Sequence, residues 1–95
     1  MVNNTATCKI VVMNPAGLHA RPSLAVAQTV RQSTSKVEVR ASRQCVDAGD
    51  ILQLLGLGAT QGTELTFTAT GPDAESVLGK LTDLFANQFG LHGEP

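Results

Sequence analysis

The stretch Asn14-Pro15-Ala16-Gly17-Leu18-His19-Ala20-Arg21-Pro22-Ser23 joins two patterns of different period. Before it, Thr7 to Met13 alternates, with Cys8, Ile10 and Val12 on one face and Lys9, Val11 and Met13 on the other, which predicts a strand. After it, Ser23, Val26, Ala27 and Val30 recur at i, i+3, i+4 and i+7, which predicts a helix over 20–32. The stretch is therefore a strand-to-helix loop. Gly17 permits a tight turn, and Pro22 suits the first helical turn, where a missing N–H costs little. His19 then falls at the cap or first position of the helix. A helix start offers main-chain amides and the positive end of the helix dipole to an anion. Arg21 adds a permanent positive charge two residues from a nucleophilic ring. Together these features point to phosphate carried on the histidine.

The rest of the chain supplies the frame. Residues 1–5 are polar and are expected to fray. Lys36 to Ala41 alternates, with Val37, Val39 and Ala41 on one face, and Ser42-Arg43 turns it into a short strand, Gln44-Cys45-Val46. Asp50 is placed to cap a short helix from Ile51 to about Leu55, ended by Gly56 and Gly58. That helix is apolar all round. Either Ile51, Leu52, Leu54, Leu55 and Leu57 are all buried, or Ile51, Leu52 and Leu55 form an exposed docking patch with Leu24, which lies off the stripe of its own helix. Glu64 to Thr70 places Leu65, Phe67 and Ala69 inward and three threonines outward, as in a strand with one apolar face. Asp73 to Gln88 is the strongest helical pattern, with Asp73 as cap, Ala74, Val77, Leu78, Leu81, Leu84, Phe85 and Phe89 on one stripe, and Gly90 as the stop. Leu91 to Pro95 reads as a loose tail. The order βαββαβα, with two long amphipathic helices, predicts a two-layer α+β sandwich in one domain over 1–95, with its core at about 6–90.

Composition excludes several classes. The 95 residues carry a net charge of −1, and the pI is about 6.0, which argues against a nucleic-acid surface. A 42% hydrophobic content allows a core, and three Phe with no Trp or Tyr make it aliphatic. No apolar run approaches the ~20 residues of a membrane helix, and the N-terminus lacks a signal-peptide pattern. A cytoplasmic protein without membrane insertion is expected. Cys8 and Cys45 have no metal-ligand spacing and read as reduced, buried thiols.

Gly17-Leu18-His19-Ala20-Arg21-Pro22 resembles the phosphorylation-site motif of the HPr family, the histidine phosphocarriers of the bacterial sugar phosphotransferase system. The resemblance runs from about Cys8 to Phe89. It implies an open-faced sandwich with helices on one face of an antiparallel sheet ordered 1-4-2-3, so that Cys8 and Cys45 lie on opposite edge strands. It implies a monomeric carrier without cofactor or metal, turned over by partner enzymes. His19 would attack through Nδ1, taking the phosphoryl group from phospho-enzyme I and passing it to the A component of an enzyme II. Arg21 would balance phosphoryl charge, with Gly17, Ala20 and Pro22 shaping the backbone and the amides of Ala20 and Arg21 donating to the phosphate. Leu24, Ile51, Leu52 and Leu55 would be the partner-binding patch.

Some residues depart from the family. Asp50 stands where many relatives carry a regulatory serine, so it is either a plain N-cap carboxylate or a partial imitation of phosphoserine. Gln28 and Gln53 stand where many relatives carry lysine, which weakens steering toward an acidic enzyme I. A regulatory paralogue, for example in a nitrogen-linked branch and binding regulatory proteins, is the alternative reading. A hydrolase using His19 as base is disfavoured, because no Asp, Glu or Cys lies between residues 10 and 28. His92, in the tail, is given no role. The free termini suggest a stand-alone carrier.

Overall fold

The structure is a computed structural model that describes residues 4–87 and 89. Its elements are β1 (Asn4–Val11), α1 (Ala20–Arg31), β2 (Lys36–Ala41), β3 (Gln44–Asp47), α2 (Ile51–Gly56), β4 (Glu64–Gly71) and α3 (Ala74–Ala86). The four strands form one antiparallel sheet in the order β1-β4-β2-β3, as the resemblance implies. Three helices complete an α+β open-faced sandwich.

Alternation decides which side of the sheet is covered. Ile10, Val37, Val39, Leu65, Phe67 and Ala69 all point to the helical layer and are buried. The intervening positions, such as Lys9, Glu38 and Arg40, are exposed. Ser23, Val26, Ala27 and Val30 form the buried stripe of α1, and Val77, Leu78, Leu81 and Phe85 that of α3. Phe85 meets Phe67 edge-on, with ring centroids 5.9 Å apart, so α3 is seated on the central strand.

Several boundaries move. β1 begins at Asn4, and Thr5 belongs to it, because β4 runs on to Gly71 and offers Gly71 and Thr70 as partners to Asn4 and Thr5. Pairing outward-facing polar residues needs no apolar signal. β1 ends at Val11 and not at Met13, although Val12 still donates to Thr63 O and accepts from Gly62 N. α3 closes at Ala86 with Asn87 as C-cap, earlier than the expected Gln88. The expected stop at Gly90, the tail 91–95 and His92 lie outside the described residues. Cys8 is half-buried on β1, but Cys45 is exposed on β3, because a short edge strand leaves its outward face uncovered. The pairing Arg40↔Cys45 puts that thiol on the same open side as Arg40. β4 and β2 lie between the two cysteines, on opposite edges.

Asp73 precedes α3 but makes no side-chain cap bond. Its carboxylate reaches across to the α1–β2 turn, accepting from Ser35 Oγ and from Thr34 N at 3.0 Å. These bonds, that of Ser35 foremost, hold its pKa below the ordinary value of 3.8. A carboxylate with a lowered folded pKa stabilises the fold above its unfolded pKa and stops doing so as the pH falls through the folded one. Asp73→Ala is therefore expected to unfold at lower temperature than the wild type at pH 7. The gap should close as the pH is taken below about 4, the range of an ordinary Asp. Thermal melts at several pH values would read this, and a gap that stays constant would remove the clip between the two turns.

Candidate functional site

The loop between β1 and α1 is held at three levels. Gly17 N donates to Asn14 O at 2.9 Å, which closes a turn over residues 14–17. Leu18 N donates to Ala59 O at 2.9 Å, tying the loop to the segment after α2. Gln61 Nε2 donates to Met13 O at 3.0 Å, from that same segment. Gly17 adopts φ 71°, and a Cβ there would lie 2.5 Å from Ala59 O. Glycine is required twice, for the left-handed backbone and for the close approach.

These anchors deliver His19 to the N-cap of α1, with extended φ −80° and ψ −165° and no side-chain cap bond. The first helical hydrogen bond runs from Ser23 N to His19 O at 3.0 Å. Ala20 and Arg21 therefore supply the main-chain amides of the opening turn, and Pro22, buried, supplies none. No acidic side chain stands in that turn to compete with an anion. Ser23 is fully buried and donates its hydroxyl to Leu18 O at 3.0 Å, so the residue before the histidine is gripped from inside the helix.

His19 is half-buried and its Nε2 is shielded from solvent, while Ala20 and Arg21 are exposed. A shallow hollow of about 260 Å³ lies beside Arg21 and is also lined by Leu24, Ala25, Gln28 and Phe89. Arg21 and Leu24 thus share one surface. α2 packs against α1. Of the apolar residues assigned to a patch, Leu24 is 46% exposed, Leu52 76% and Leu55 39%. Ile51 is half-buried and packs on the core, and Leu54 is fully buried. The all-round apolar helix thus divides into an inner and an outer side, with Ile51 between them.

Asp50 is the N-cap of α2. Its Oδ1 accepts from Leu52 N at 3.0 Å and Gln53 N at 3.2 Å, and its Oδ2 accepts from Gln53 Nε2 at 3.2 Å. The Oε1 of Gln53 in turn accepts from Asp47 N at 3.0 Å. Both residues are used locally to start α2. Arg31 Nε donates to Gly49 O at 2.7 Å, joining the end of α1 to that start.

Sequence reasoning missed Asn14, Ala59 and Gln61. Ala59 acts through a carbonyl that every residue type possesses, so no side-chain signal could have found it. Asn14 is polar and yet 5% exposed, an anomaly that only burial reveals. Among the described residues no group of His, Cys, Asp and Glu is arranged to hold a metal ion, and no helix is long and apolar enough to cross a membrane.

Comparison with known proteins agrees with this geometry. The family model "PTS HPr component phosphorylation site" matches residues 6–87. A multiphosphoryl transfer protein of Xanthomonas campestris is 42% identical over 67 residues, 70% of this chain and 8% of that protein. One from Haemophilus influenzae is 35% identical over 82 residues, 83% of this chain and 16% of that protein. This chain therefore spans a small part of such relatives. The phosphocarrier protein HPr of Chlamydia pneumoniae is 33% identical over 85 residues, covering 90% of this chain and 77% of that protein. The crystal structure of HPr-C-His from Thermoanaerobacter tengcongensis superposes with a TM-score of 0.86 at 33% identity, over 90% of this chain and 96% of that one. Motif, strand order and relatives agree over nearly the whole described chain, and the chain belongs to the PTS HPr family of phosphocarrier proteins, which are not enzymes.

Proposed function

We propose that residues 6–87 act as a phosphocarrier domain of a phosphoenolpyruvate:sugar phosphotransferase system. The observation that carries this reading is His19 at the N-cap of α1, with its Nε2 inward and the opening amides and Arg21 beside it. The Nδ1 lone pair attacks phosphorus in a phosphohistidine of enzyme I. The N–P bond to His19 forms as the donor's bond breaks and the donor keeps that electron pair. The guanidinium of Arg21 and the helix N-terminus offset charge on the phosphoryl oxygens. The group then passes by the same chemistry to the A component of an enzyme II.

Incubation with phosphoenolpyruvate and enzyme I, followed by intact mass before and after mild acid, tests this. An acid-labile gain of one phosphate is expected. A folded protein that gains nothing from an enzyme I of the same organism would overturn it. Arg21→Ala should slow transfer on the order of a hundredfold without stopping it, the scale for losing one charge-stabilising donor. A stopped-flow or quench series would check this.

Leu24, Leu52 and Leu55 offer enzyme I an apolar surface that touches the edge of the site, with Ile51 supporting it from below. Leu52→Asp places a charge on the most exposed of them at little cost to the fold. The apparent KM for enzyme I should rise by about tenfold, as for an interface hot spot, with kcat nearly unchanged. An unchanged KM would remove α2 from the docking surface.

The regulatory reading is kept alive by Asp50, which stands at the serine position of the family with its carboxylate engaged at the N-terminus of α2. A chain that accepts phosphate but cannot drive any enzyme II of its host would favour it.

A further inference from the structure

We propose that Ser23 is a positioning residue of the phosphoacceptor: it holds both peptide planes that flank the Cα of His19, and so sets the direction in which the imidazole leaves the main chain. The inference deepens the reading of His19 as phosphoacceptor and rests on it. It starts from a serine with no exposed surface. Ser23 is 0% exposed, although burying a hydroxyl is unfavourable unless it is hydrogen-bonded. Its Oγ donates to Leu18 O at 3.0 Å, and its main-chain N donates to His19 O, also at 3.0 Å.

The two accepting carbonyls belong to the peptide groups on either side of one residue. Each peptide group is planar, so a hydrogen bond to its oxygen restrains the whole plane. The Leu18–His19 plane turns about φ of His19, and the His19–Ala20 plane turns about ψ. With both planes held, φ stays at −80° and ψ at −165°, and the Cα–Cβ bond of the histidine has one direction. The bond to His19 O is the first bond of α1, and any residue but proline at position 23 would supply it. The bond to Leu18 O needs a side-chain donor. That carbonyl is the one an amide at residue 22 would hold in a helix, and Pro22 has no N–H. Ser23 Oγ takes its place.

Other hydroxyls on the helices are used differently. Thr29 Oγ1 donates to Ala25 O and Thr82 Oγ1 to Leu78 O, each four residues back inside its own helix, where an amide holds the same carbonyl. Only the Ser23 hydroxyl reaches past the start of α1 into the loop that carries the nucleophile. Because Ser23 is fully enclosed, no partner protein can touch it, and truncating it acts on transfer only through the loop.

The test compares Ser23→Ala with Thr29→Ala in the full chain. Each removes one hydroxyl bond from α1, and only the first bears on His19. The three-bond HN–Hα coupling of His19, which reports φ, should change in Ser23→Ala and keep its parental value in Thr29→Ala. With phospho-enzyme I as donor, Ser23→Ala should lower kcat about tenfold, the scale of one lost hydrogen bond, with KM unchanged. Thr29→Ala should keep the parental kcat. Ser23→Cys retains a weak donor of similar size and should recover part of both the coupling and kcat; it carries the comparison alone if Ser23→Ala does not fold.

A folded Ser23→Ala with the parental coupling and kcat overturns the inference. So does a rise in KM at constant kcat, which would make Ser23 a docking residue, and so does an equal loss in Thr29→Ala, which would be a general loosening of α1. A parent that takes no phosphate from enzyme I, while Ser23→Ala shifts the coupling, would end the carrier reading and leave the hold of Ser23 on His19 standing.

Discussion

His19→Ala loses all phosphoryl acceptance and keeps the fold. The loss is total because the bond to phosphorus has no other nitrogen to form on at the start of α1. The amides and Arg21 can bind an anion, but they cannot become covalently attached to it. The fold survives because the loop is held by main-chain bonds from Gly17, Leu18 and Val12 and by the hydroxyl of Ser23, none of which uses the imidazole. The N-cap side chain also makes no capping bond, so truncating it removes none from α1. Denaturation should still show a cooperative transition, with a cost within the roughly 1–3 kcal/mol of a lost half-buried polar contact. Intact mass should show no gain of phosphate under conditions that fully load the parent. Residual acid-labile phosphate would move the nucleophile elsewhere in the chain.

Phe85→Ala is the largest loss of stability expected. The ring is 4% exposed and sits edge-on between Phe67 and Phe89, with centroids 5.9 and 4.7 Å away and planes inclined by 61° and 69°. It joins α3 to the central strand of the sheet, and with three phenylalanines in the chain no other aromatic can fill the gap. Burial lost and cavity created together cost about 3–5 kcal/mol. A domain of this size holds about 5–15 kcal/mol in all, so the variant stands close to unfolding. The midpoint should fall on the order of 20 °C in a thermal melt followed by circular dichroism. A loss below about 1 kcal/mol would mean that α3 does not rest on Phe67.

The frame of the molecule was legible because it rests on period. The stripes of α1 and α3 and the inward faces of β2 and β4 were visible as spacings of apolar residues, and they are buried where those spacings put them, except Leu84 and Phe89, which are half-buried, Phe89 beyond the end of α3. A nucleophile could be proposed from the sequence because its chemistry compresses into six adjacent residues. What escaped lies in bonds with no side-chain signature or with an unusual use of one. Asp73 has the identity and position of a helix cap, but Ser35 and Thr34 were available across the turn and took its carboxylate. The beginning of β1 is polar, and only its partner β4 shows that it is a strand. Cys45 looks like a core residue by type and is exposed because β3 is a short edge strand. Gly17 was read as a residue for a tight turn and a close main-chain approach, but that the group approached is Ala59 O could not be read.

The bond from Leu18 to Ala59, with those of Met13 and Val12 to residues 61–63, also bears on how the protein is made. The bonded residues on the two sides of this junction are 41 to 51 positions apart in sequence. During synthesis the six-residue motif leaves the ribosome before the segment after α2, and its loop has nothing to hold it until that segment has emerged and closed back on β1. Long-range closure of this kind is slow compared with formation of the α1 helix. A nascent or truncated chain that stops short of Ala59 carries the histidine but not the place built for it. On the proposed function, phosphoryl acceptance should wait until residues 59–63 have emerged, and the same junction makes the 59–63 turn a poor place to insert residues despite its exposed surface.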